Sequence, residues 1–114
     1  MSVTIWHNPK CSTSRNVLAM IRETGIEPTV VDYLKDVPTA AALAKVSAAI
    51  GGARMLLRTR GTPAEERGLT EDVTDAQIFA AMAKEPVLIE RPVVFGPKGI
   101  VLARPAAKVM TVLG

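Results

Sequence analysis

Apolar positions along the chain change period several times, and each change marks an element. "SVTIW" (residues 2–6) alternates and is rich in β-branched residues, which predicts a strand. Asn8-Pro9 then predicts a turn. From about Ser14 to Thr24 the apolar side chains Val17, Leu18 and Ile21 fall on one helical face, and Gly25 supplies the stop. "PTVVDYL" (28–34) predicts a second strand, so the first third reads as a βαβ unit with parallel strands. Thr39 is placed to cap a helix to Ile50, with Leu43, Val46 and Ile50 inward and Gly51-Gly52 ending it. A short piece, "ARMLLRTRG", follows, and "EERGLTEDV" reads as an exposed loop. Thr74 and Gln77 fit a capping box for a helix to about Lys84, with Ile78, Phe79 and Met82 apolar and Pro86 closing it. The period then returns to two. "RPVVFGPKGIVLAR" predicts a hairpin around Gly-Pro-Lys-Gly, and Pro105 suits the first turn of a last helix bearing Val109, Met110, Val112 and Leu113.

The order is β-α-β, a helical block, then β-β-α. The simplest packing is an α/β fold with a four-stranded mixed sheet flanked by helices. That arrangement is thioredoxin-like: one domain over residues 1–114, with a helical insertion at about 38–85.

Composition narrows the function. With 114 residues, 48% of them hydrophobic and 22% charged, the chain is long enough for one core and apolar enough to fold. The net charge of +3 comes without a Lys/Arg run or interleaved aromatics, which speaks against nucleic acid and for small anions. No signal pattern and no membrane-length apolar stretch occur, so a cytoplasmic protein without a membrane partner is expected. The single cysteine forbids an intrachain disulfide, and no CxxC metal pair is present. The chain is read as a monomer.

That cysteine, Cys11, falls between the first strand and the first helix. Free N–H groups and the partial positive charge of a helix N-terminus favour a thiolate, the nucleophilic form. Ser12, Thr13 and Ser14 can add hydroxyl donors, and Arg15 adds charge. His7, the only histidine, could hold negative charge if protonated, or could be structural; Ser14 could serve simply as a helix cap. The same features suit a phosphate-like anion. A buried inert cysteine is the ordinary alternative, but Lys10 and Ser12 are not apolar neighbours. The wider cysteine-to-arginine spacing of tyrosine phosphatases would need arginine at Val17. Ser14 stands where a CxxC motif has its second cysteine, so an external thiol would have to complete any redox cycle.

"HNPKCSTSRN" resembles the signature of the glutaredoxin-dependent arsenate reductase family, and "MLLR", "ERPVV" and "LARP" match in order and spacing over essentially the whole chain. The resemblance implies a thioredoxin-like fold with a helical insert. It implies that Cys11 attacks arsenate, that His7 and Ser14 support the thiolate, and that Arg58, Arg91 and Arg104 bind the anion. It also implies glutathione as co-substrate, glutaredoxin as partner, and neither a metal nor an organic cofactor. Pro92 is the candidate for a cis-proline facing the cysteine, which would place Arg91 beside it. Arg60, two residues after Arg58 in "RTRGT", competes for the first arginine role, and the segment after Arg58 departs from the best-known members. Two rival functions stay open: a glutathione-dependent thiol oxidoreductase on the same scaffold, and a non-enzymatic regulator that binds RNA polymerase, a group whose switch commonly uses the CxxC that Ser14 denies.

Overall fold

The computed structural model describes residues 2–114 and divides them into two compact units, the chain up to Asp36 together with Arg91–Gly114, and Val37–Glu90. The first contains β1 (Thr4–His7), α1 (Ser12–Glu23), β2 (Thr29–Asp32), β3 (Val93–Gly96) and β4 (Gly99–Leu102). The strand order is β2-β1-β3-β4, with β1 parallel to β2 and antiparallel to β3, and β3 antiparallel to β4. This is the mixed four-stranded sheet of a thioredoxin-like fold.

Register explains the core. Ile5 pairs with Val94, and Val94 with Val101, so one row of apolar side chains crosses the sheet on a single face. Val17 and Ile21 of α1 pack on that row, together with Ala103, Val109, Val112 and Leu113. On the other face Trp6 and Phe95 meet at a ring-centroid distance of 5.2 Å. Helix α1 ends as its sequence dictates: Gly25 adopts a left-handed φ of 88° and its N–H reaches the Arg22 carbonyl at 3.0 Å. Strand β2 stops earlier than its apolar run because Asp32 starts a turn. Its side chain accepts from Leu34 N–H at 3.1 Å, and its carbonyl accepts from Lys35 and Asp36.

The expected final α-helix is instead a 3-10 helix over Ala106–Thr111. The buried or half-buried residues Ala106, Val109 and Val112 recur every three positions, the period at which 3-10 side chains eclipse. Met110 falls off that stripe and is 52% exposed.

The second unit holds α2 (Ala40–Ile50), α3 (Ala53–Leu56) and α4 (Asp75–Lys84), which pack on one another around Leu43, Val46, Leu56, Ile78 and Met82. Thr39 caps α2 by accepting from Ala42 N–H, and Thr74 with Gln77 forms the capping box of α4. Ile50 and Phe79 are only half-buried. The unit extends past residue 85, because Pro86–Leu88 forms a 3-10 turn packed on α4 and Ile89 bridges back to Leu57. The loop Glu65–Val73 is not simply solvated. Leu69 is buried, and the Arg54 guanidinium donates to the carbonyls of Leu69 and Glu71 at 2.5 and 2.7 Å.

One close approach ties the hairpin to the C-terminal turn. A Cβ built on Gly96 would lie 2.2 Å from the Val112 carbonyl oxygen, and Lys98 N–H donates to that same oxygen at 3.2 Å. Gly96→Ala is therefore expected to lower stability by about 1–3 kcal/mol, the usual cost of overpacking. Urea unfolding measures this, and an unchanged midpoint would contradict the contact.

Candidate active site

Cys11 is the N-cap residue of α1, in extended conformation with φ −93° and ψ 121°. The turn that delivers it is closed by Cys11 N–H donating to the Asn8 carbonyl at 3.0 Å, and Cys11 C=O then accepts the first helical bond from Arg15. A side chain at the N-cap normally accepts from the second or third helical N–H. Here those residues are Thr13 and Ser14; the Cys11 side chain makes no capping hydrogen bond, but their backbone N–H groups favour its ionised form. Burial, the largest single influence, pushes the Cys11 thiol up. The Ser14 N–H, the Arg91 charge, a hydrogen bond from Arg91 and the Thr13 N–H together outweigh it, so the pKa lies below that of an ordinary thiol. Cys11 remains partly accessible.

Both hairpin arginines converge here. The Arg91–Pro92 and Arg104–Pro105 peptide bonds are cis. Arg104 Nη1 lies 4.0 Å from Cys11 Sγ and donates to the Arg91 carbonyl at 3.2 Å. Two guanidinium groups and a helix N-terminus thus surround one sulfur, a setting for a tetrahedral oxyanion.

His7 and Ser14 form a buried pair, Nδ1 to Oγ at 2.6 Å, and Ser14 Oγ also accepts from Asn8 N–H at 3.0 Å. Burial pushes the His7 pKa down. Asp32 opposes that, Arg22 and Arg15 reinforce it, and the net shift is downward. Of the two roles open to His7, the downward shift and the buried bond to the Ser14 hydroxyl favour the structural one over a cation beside the thiolate. The reading of Ser14 as a cap is corrected. Its hydroxyl is spent on β1 and the turn, and only its backbone N–H serves the sulfur.

The remaining candidates divide. Thr13 acts through its backbone, and Ser12 is exposed at the first helical position. Arg15 turns away, with Nη1 donating to the Pro9 carbonyl at 2.9 Å. It borders an open hollow of about 630 Å³ with His7, Leu18 and Arg22, a hollow whose lining does not include Cys11. Arg58 belongs to the second unit. It is half-buried, and its Nε donates to the Arg60 carbonyl at 3.3 Å, whereas Arg60 is exposed.

The model of the ArsC family matches residues 6–112, a span that takes in all of these groups. The chain belongs to the ArsC family. It is 50% identical to an arsenate reductase of Rhizobium meliloti (strain 1021), over 99% of this chain and 82% of that protein. An arsenate reductase of Escherichia coli is 48% identical over 98% of this chain and 81% of its own length. The solved structure of an arsenate reductase from Vibrio cholerae superposes with a TM-score of 0.93 at 38% identity, covering 99% of this chain and 98% of that one.

In this ArsC chain Asn8 does more than form the turn the sequence predicted, and Tyr33 matters though the sequence did not single it out. Asn8 is 7% exposed. Its Oδ1 accepts from Lys10 N–H at 3.0 Å and its Nδ2 donates to the Tyr33 hydroxyl at 3.3 Å. With its backbone bonds to Ser14 and Cys11, Asn8 sets the geometry of the whole turn. Tyr33 is fully buried, and a buried tyrosine hydroxyl needs a polar partner; that was the one available signal.

Alkylation of Cys11 by iodoacetamide should follow a pH profile with its midpoint below that of an unperturbed cysteine thiol measured alongside in the unfolded chain. Removing a favourable charge should move that midpoint upward in Arg91→Ala. A wild-type midpoint above the ordinary value would contradict the site as described.

Proposed function

We propose that this chain is an arsenate reductase that uses Cys11 as nucleophile, glutathione as co-substrate and glutaredoxin as the partner that restores the thiol. The observation that carries the reading is the sulfur itself: its pKa lowered, partly accessible, at the N-terminus of α1 and faced by Arg91 and Arg104. The names of its relatives supply the substrate, arsenate.

The chemistry follows from the charges. Arsenate enters as an anion and takes up the two guanidinium groups and the helix N-terminus. The Cys11 thiolate attacks arsenic and an oxygen leaves as hydroxide, giving a Cys11–S–As(V) adduct. The same donors stabilise charge on the arsenic oxygens as sulfur replaces oxygen. Glutathione then attacks the Cys11 sulfur. The S–As bond breaks with its electron pair going to arsenic, arsenite leaves as As(III), and a Cys11–glutathione disulfide remains. Its two sulfurs have supplied the two electrons. Glutaredoxin takes the glutathione by thiol–disulfide exchange and frees Cys11. With Ser14 in place of a second cysteine, the chain has no internal thiol to do this.

A cytoplasmic setting suits a lone thiol that must stay reduced. No helix among the described residues is long and apolar enough to cross a membrane.

The test is arsenate-dependent NADPH consumption with glutathione, glutaredoxin and glutathione reductase. Wild-type chain should support it, and Cys11→Ser should abolish it; full activity in that variant would sink the mechanism. Arg91→Ala should weaken arsenate use by roughly 10- to 100-fold, the loss of a charge-assisted hydrogen bond. Lys98→Ala, on the hairpin turn, should leave it unchanged, and equal losses from both would argue against a localised anion site.

A further inference from the structure

A second cavity lies against the same turn, on the side of β2. It measures about 350 Å³ and is lined by Asn8, Pro9, Lys10, Asp32, Leu34 and Lys35. That volume is in the range that holds a drug-sized or tripeptide-sized molecule. Its charges are two lysines against one carboxylate, and Asp32 already accepts from Leu34 N–H. Leu34, 37% exposed, adds an apolar wall beside Pro9. Lys10 immediately precedes the nucleophile, and its backbone is fixed by the 3.0 Å bond to Asn8 Oδ1.

We propose that this cavity seats the thiol co-substrate, with Lys10 and Lys35 receiving a carboxylate of glutathione. The inference rests on the glutathione reading above and adds a binding site to it. Arg91 and Arg104 occupy the anion side of the sulfur, so the incoming thiol needs a separate foothold close to Cys11. Glutathione has a carboxylate one residue beyond its cysteine, roughly 7 Å in extended chain from the sulfur. A foothold on the residue next to Cys11 suits that reach. The peptide's methylene and amide groups would lie along Leu34 and Pro9. Two solvated ammonium groups favour a carboxylate without demanding a fixed geometry, which suits a co-substrate that binds and leaves each cycle.

The experiment follows formation of the Cys11–glutathione disulfide by mass spectrometry, in wild type and in Lys10→Gln/Lys35→Gln, with saturating arsenate and varied glutathione. The double variant should need roughly tenfold more glutathione for half-maximal rate, the effect of losing two exposed ion pairs. Added salt should raise the wild-type requirement and leave the variant's nearly unchanged. With 2-mercaptoethanol, which has no carboxylate, the two proteins should react at equal rates, and the alkylation profile of Cys11 should coincide. Equal glutathione requirements would overturn the assignment of the lysines. So would an equal loss with 2-mercaptoethanol, because the lysines would then act on the thiolate. Absence of any glutathione disulfide in wild type would overturn the parent reading, and this one with it.

Discussion

One sulfur held at the N-terminus of a helix, where free N–H groups and two guanidinium groups favour its ionised form, is the constraint around which this site is organised. A helix leaves its first N–H groups without intrahelical partners, and a short polar side chain usually meets them. At Cys11 the side chain makes no such cap bond, and the N–H groups of Thr13 and Ser14 instead favour the ionised sulfur over the neutral thiol. Folding of α1 and ionisation of the cysteine therefore support each other. The coupling has a sign. Because the folded state lowers this pKa, the ionised sulfur adds stability above the ordinary thiol range and loses that contribution as pH falls through the lowered value.

The rest of the first unit holds that sulfur in place. Asn8 closes the turn, its side chain ties the turn to buried Tyr33, and its N–H is tied to Ser14 on the underside of α1. The two arginines flank one antiparallel pair at its open end, and the donation from Arg104 to the Arg91 carbonyl makes them a coupled unit. The sheet needs no chemistry of its own. Its register puts Val93 opposite Leu102 and so brings the residues before one strand and after the other to the same edge.

The architecture was legible in the sequence wherever a period was long or a cap chemically explicit. The alternation of β1, the Val17–Ile21 face, the Thr39 cap and the Thr74/Gln77 box all depend on neighbours within a few residues. The final turn was misjudged because a stripe of three and a stripe of three-or-four look alike over two repeats, and Met110 broke the tie wrongly. Cys11, Arg91 and Arg104 could be named from motif and chain position. The roles of His7 and Ser14 could not, because a histidine's charge depends on how deeply the folded chain buries it. Arg15 was misplaced for a related reason: sequence proximity to a thiol does not say which side of a helix a long side chain takes. The Asn8–Tyr33 bond joins residues 25 positions apart, beyond any local pattern.

The Ser14 hydroxyl also bears on how such a site could change. It sits at the place where a resolving thiol would stand, yet it is fully buried and joins β1, the turn and the helix at once. A sulfur there would be a poor substitute for both bonds, leaving the Asn8 amide and the His7 ring to find new partners. Reliance on a reductant from outside is thus built into the packing beneath the helix as well as into the count of cysteines. A self-sufficient two-thiol descendant would have to rebuild its foundations before it gained its second sulfur.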